Sequence, residues 1–131
     1  MTTSVTAPIP ADRLMFWHPI RDEPVTEYYF VWGPVARSSS ADREFRLRNV
    51  SYLYQAQQIA VTLYEFGAPA RSIAAQHLLS TDGFAFTAAI DVGDLPPRAT
   101  TGRLVLRRVT APDADLGDGD IQLLAAAEEW V

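Results

Sequence analysis

Two histidines, an acidic loop and a serine run are the residues of this chain that could do chemistry. His18 stands in FWHPI and His77 in AAQHLL. A metal centre needs three or four convergent ligands. Two imidazoles from distant segments, with no cysteine in the chain, do not supply them, and both read as packed or surface histidines. Asp113, Asp115, Asp118 and Asp120 crowd the run PDADLGDGD, with Gly117 and Gly119 between them. Carboxylates on a bent backbone can wrap a calcium ion with oxygen ligands. The EF-hand spacing fails, because Gly117 takes its fifth position and Asp118 its sixth. The loop therefore reads as a solvated hairpin connection built of turn formers, with calcium as the weaker candidate. Ser38, Ser39 and Ser40 form a loop run, and no Gly-x-Ser-x-Gly elbow is present to activate a serine. We expect no enzymatic activity, no cofactor and no resident metal.

Residues suited to contact are more plentiful. Fourteen aromatics can fill a core, and most should do so. Tyr52 and Tyr54 in SYLYQAQ follow a strand and should stay exposed, where Tyr favours protein contact over a carbohydrate platform. Arg46, Arg48, Arg103 and Arg107 should project from outer strand faces. They could form a basic stripe, but no aromatic platform with a basic groove accompanies them. Pairing with carboxylates on neighbouring strands or on a partner suits the planar guanidinium better. Leu14, Phe16 and Trp17 stand in a proline-punctuated N-terminal segment. The expected interface is thus Leu14, Phe16, Trp17, Tyr52, Tyr54, Arg46 and Arg48.

The 131 residues suit one domain, long enough to bury a core without staples. Cysteine is absent, so disulfides and thiol chemistry are excluded. Net charge is −5, and all 11 basic residues are Arg. An acidic chain is poorly suited to coating nucleic acid, where counterion release rewards a basic face. The opening MTTSVTAPIPADR lacks the basic and apolar regions of a signal peptide, and no run approaches the length of a membrane span. The expectation is cytoplasmic synthesis without export by the usual route, and no membrane or nucleic-acid partner.

The elements that must position these residues read as strands. Residues 1 to 27 form an arm in which Pro8, Pro10, Pro19 and Pro24 disfavour helix. LMFW within it fits either an edge strand on its own domain or a contact across a neighbouring subunit. From residue 28 onward a single domain follows. Glu27–Val35 is a strand ended by Gly33-Pro34, and Arg37–Asp42 a loop. Arg43–Val50 alternates Phe45 and Leu47 with Arg46 and Arg48, and Gln57–Phe66 alternates in the same way. Arg71–Leu79 fits strand or short helix, with strand preferred. Thr81-Asp82-Gly83 is a turn, after which Phe84, Phe86, Ala88 and Ile90 should share one strand face. Asp94–Pro97 is a rigid corner, Thr101–Thr110 a strand, Ala111–Asp120 a loop, and Ile121–Val131 a closing strand rather than a helical end. Six or seven strands at this spacing predict an all-β sandwich.

Two segments carry a resemblance. Phe45, Leu47, Asn49 and Ser51 in FRLRNVS match the apolar-x-apolar-x-Asn-x-Ser/Gly pattern of NEW3-like and CARDB-like domains. DLPPRATTGRLVLRRVTAP resembles the Leu-x-Pro-Gly corner and following strand of the same domains, with Arg98 where they often have Gly. The resemblance covers roughly residues 43 to 131. It implies a single antiparallel immunoglobulin-like β-sandwich carrying an extended N-terminal arm, with Leu95 sealing the core and Asn49 bonding local backbone in a left-handed conformation. A broader resemblance rests on the aromatic arm, the run VWGPVARSSSADREFRLRNVS and the ending EEWV. The chain resembles small structural proteins of tailed bacteriophages, of head-decoration or minor-tail type. That implies a virion protein that is a homo-oligomer or lattice-bound and has other phage structural proteins as partners. A carbohydrate- or protein-binding accessory module is the alternative.

Overall fold

The computed structural model describes residues 2–6, 13–26, 29–34, 38–65, 77–110 and 119–131. Its strands are β1 (Thr2–Thr6), β2 (Leu14–Trp17), β3 (Val31–Pro34), β4 (Ser39–Asn49), β5 (Ala56–Glu65), β6 (His77–Ser80), β7 (Ala89–Leu95), β8 (Leu104–Thr110) and β9 (Gly119–Trp130). No helix occurs among the described residues. One sheet has the order β3-β1-β9-β5-β7 and the other β2-β4-β8-β6. The pairings are antiparallel except that β1 runs parallel to β9.

Period-two sequence places the core between the sheets. Phe16, Phe45, Leu47, Leu79, Leu104 and Leu106 come from the four-stranded sheet. Ile59, Val61, Ile90, Leu95 and Leu123 face them from the other. Phe16, Phe30 and Phe45 meet edge to face with centroids 5.6–6.0 Å apart. This arrangement sets the positive ring edge against the negative face.

Both strands read as part of an arm belong to these sheets. β2 lies antiparallel to β4, from Leu14↔Asn49 to Trp17↔Arg46. Of the two readings of LMFW, the structure takes the one in which it is an edge strand of its own domain. The physical reason is burial: Leu14, Phe16 and Trp17 are 6%, 4% and 9% exposed. Residues 18–25 then fold back over this edge. Val25 N donates to the Phe16 carbonyl, and Trp17 forms a bridge with Pro24.

Three local expectations need correction. Ser39–Asp42, read as loop, opens β4 and pairs with β8 from Ser39↔Thr110 to Asp42↔Arg107. That stretch has no apolar alternation to announce it, so the partner strand imposes the conformation. Residues 84–88, read as strand, are not one. Ser80 Oγ accepts from Asp82 N and Gly83 N, while Asp82 Oδ1 accepts from Phe84 N and Ala85 N. These side-chain acceptors coil the chain until β7 starts at Ala89, leaving Phe84 91% exposed. Finally, Asn49 does bond local backbone but does not hold a left-handed conformation; among the described non-glycine residues Ser38, Gln58 and Arg98 do, Arg98 at φ 63°.

Candidate functional site

One end of the sandwich gathers an exposed aromatic tip on a tightly bonded frame. The frame begins where β4 ends. Asn49 is fully buried, and its Nδ2 donates to the carbonyls of Tyr54 (2.7 Å) and Leu95 (3.0 Å). Its Oδ1 accepts from Ser51 N at 2.9 Å. A buried amide must satisfy such bonds, so it ties the β4–β5 loop to the β7–β8 corner. Ser51 Oγ accepts from Leu53 N and Tyr54 N, and the Ser51 carbonyl accepts from Arg98 N. Gln55 and Val131 exchange backbone bonds in both directions. Val50 N donates to the Arg13 carbonyl, which brings the start of β2 to the same end.

Although its backbone is fixed, the tip's side chains face solvent. Tyr52 is 76% exposed, Leu53 80% and Val131 57%. Large apolar side chains exposed close together in sequence and at one end of the sheets are candidates for a contact surface. The guanidinium carbon of Arg98 lies 4.5 Å from the Tyr52 ring centroid, and that of Arg13 lies 4.3 Å from Tyr54 and 5.4 Å from Trp130. Arg98 also donates through Nη1 to the Val50 carbonyl. The left-handed region disfavours a bulky side chain, and glycine would occupy it without strain. Strain of this sort collects at functional positions.

The two tip arginines differ from most other described arginines in their partners. Arg21 pairs with Glu23, Arg48 with Asp22, Arg103 with Glu44 and Arg107 with Asp42. Arg46 donates to the carbonyls of His18 and Arg21. Among the described residues, Arg13 and Arg98 have no carboxylate partner.

The expected site residues divide between this tip and the interior. Tyr52 and Tyr54 are exposed and together, as read. Leu14, Phe16 and Trp17 are core residues of their own chain. Arg46 and Arg48 hold the 18–22 segment, with Arg48 also 4.8 Å over the Trp17 ring. His18 Nδ1 accepts from Ile20 N and Arg21 N, which fixes the ring against the turn that follows β2. His77 is buried in β6, far along the chain from His18. Among the described residues no three His, Asp or Glu converge as metal ligands. Asp113, Asp115 and Asp118 lie outside the described residues, and only the backbone of Asp120 falls within them, in β9. Sequence reading missed Arg13, Leu53, Arg98 and Val131. The one available signal was Arg98, an arginine at a corner where glycine is expected.

Electrostatics elsewhere are structural. The Asp42 carboxyl is held below its ordinary range, chiefly by the hydrogen bond from Arg107, whose Nε lies 2.8 Å away. Asp82 is held low by the amides of Ala85 and Phe84. Burial pushes the Tyr29 phenol up.

No family model, curated protein or solved structure matches this chain. Its function therefore rests on the site. Among the described residues no helix is long and apolar enough to cross a membrane.

Proposed function

We propose that this chain is a non-enzymatic structural protein of a tailed-phage particle, joined to its neighbours through the Tyr52–Tyr54 tip. The observation that carries the contact role is the combination of exposed Tyr and Leu side chains with a backbone frame already bonded in place. Such a surface loses little conformational entropy on docking. Tyr and Arg are also the residue types that dominate binding energy at interfaces. The particle assignment draws on the resemblance of the sequence to small phage structural proteins.

We further propose an immunoglobulin-like sandwich. Consecutive strands β4 and β5 occupy the interiors of different sheets, and each pairs with one of the consecutive strands β8 and β9. This interlocking of two strand pairs supports that reading, as does the Asn49 frame in FRLRNVS. The contact is placed at the tip and not in LMFW, because Leu14, Phe16 and Trp17 are consumed by the core. A carbohydrate platform on Tyr52 is disfavoured, since Arg98 already covers one face of that ring.

Mass spectrometry of purified particles from a producing lysate tests the assignment. The protein at a fixed ratio to other virion proteins, with a Tyr52→Ser/Leu53→Ser variant lost from the particles, is the expected result. Absence from the particles would overturn it.

A further inference from the structure

The outer face of the five-stranded sheet carries a recess of about 550 Å³ next to the tip. Small residues create it. Strand register lines up Asp91, Ala60 and Ala126 across β7, β5 and β9, so two alanines lie beyond the Asp91 carboxylate. Gly93, Gln58 and Glu128 complete the lining. The volume falls within the range of sites that take a ligand-sized group. Asp91 and Glu128 are exposed, and neither has a cationic partner among the described residues.

Among the described residues the molecule thus carries two cations without ion pairs at an exposed apolar tip and two anions without ion pairs around an alanine-lined recess. The two features sit close together. Ala56 pairs with Leu95 and with Trp130 at the tip end, while Gln58, Gly93 and Glu128 lie two residues farther along the same three strands. At about 3.3 Å per residue the recess starts roughly 7 Å along the strands from Ala56 and Trp130, at the end of the sheet that the tip extends. A two-fold axis passing between tip and recess would therefore bring each tip to the other copy's recess. That is the reciprocity a closed isologous contact requires.

We propose that a second copy of this chain is the occupant: Tyr52 and Leu53 of one copy enter the recess of the other, with Arg98 and Arg13 facing Asp91 and Glu128. The proposal rests on the reading of the tip as a contact surface. Complementary charge sets register and partner choice, and like charges at the same places oppose docking.

Sedimentation equilibrium from micromolar to millimolar protein tests it, read against the 14.5 kDa monomer mass. The wild type should approach twice that mass as concentration rises. Arg98→Asp and Asp91→Arg should each weaken association at least about tenfold, and combining them should restore it to within about threefold. Asp tolerates the left-handed conformation at position 98, which keeps the variant foldable. Arg13→Glu with Glu128→Arg is an independent second pair, and unchanged thermal midpoints confirm folding. A monomer at every concentration overturns the proposal, as does association that ignores the single reversals or is not recovered by the pairs. Either failure leaves the tip's role toward other virion proteins to the particle experiment, which reads Tyr52 and Leu53 without depending on self-association.

Discussion

Asn49 and Arg98 show how differently two residues of one tip contribute. Asn49 is a framework residue with three backbone partners and no exposure. Asn49→Ala strands those partners in a buried site and should lower stability by about 2–4 kcal/mol, read from urea unfolding. Arg98 spends its side chain on the surface while its backbone is left-handed. Arg98→Gly relieves that strain but adds the chain entropy of glycine, so stability should stay within about 1 kcal/mol of wild type. Association should nevertheless weaken, a separation that sedimentation and urea unfolding read together. Asp82 gives a pH prediction. Its folded-state carboxyl titrates lower than the ordinary 3.8, so its contribution is present above that value and is lost as pH falls through the lower one. Asp82→Asn keeps an acceptor for the amides of Ala85 and Phe84 but cannot titrate. Its acid unfolding curve should be shallower below pH 3.8 than that of wild type.

At the scale of elements, β2 is a core strand rather than a free arm. Its Phe16 lies edge to face against Phe30 and Phe45 in the core. Phe16→Ala should cost about 3–5 kcal/mol, while Leu53→Ser at the tip should change stability by no more than about 0.5 kcal/mol. Thermal unfolding of the two variants separates a core strand from a docking arm. Three of the four sheet edges are also managed. Residues 24–25 cover β2, and Thr87 bridges Leu79 on β6 in both backbone directions. On β7, register shifts against β5 and the left-handed Gly93 interrupt the free edge. Bulges and covers of this kind prevent a sheet from pairing with whatever strand it meets. Self-association through side chains at tip and recess is consistent with the closure of these three edges to strand addition.

At the scale of the whole molecule, the N-terminal strands are structural members of both sheets. β1 stands between β3 and β9, and β2 borders β4. Removing residues 1–27 therefore deletes a strand from each sheet. We expect the truncated chain to lose its cooperative thermal transition rather than to become a folded monomer, as circular dichroism would show. Distribution of charge follows the same global logic. The net charge of −5 is not spread evenly, and the tip holds two arginines, Arg13 and Arg98, that have no carboxylate partner among the described residues.

Strand identity was legible from alternation in Phe45–Asn49, Ile59–Leu63 and Leu104–Arg107, because side-chain period two is a local property, but not in Phe84–Ala88, which alternates and is coiled by side-chain bonds. The absence of thiol chemistry, the fixed corner at Pro96-Pro97 and the exposure of Tyr52 and Tyr54 were likewise written in the residues themselves. Only tertiary structure decided that Ser39–Asp42 is strand, that Phe84 is outside, and that LMFW fills its own core. Each depends on a distant partner: β8 for the first, the Ser80 and Asp82 bonds and the start of β7 for the second, β4 for the third. The meeting of Arg13, Tyr54 and Trp130 at one end is of the same kind, since residues more than a hundred positions apart become neighbours only when the sheets close.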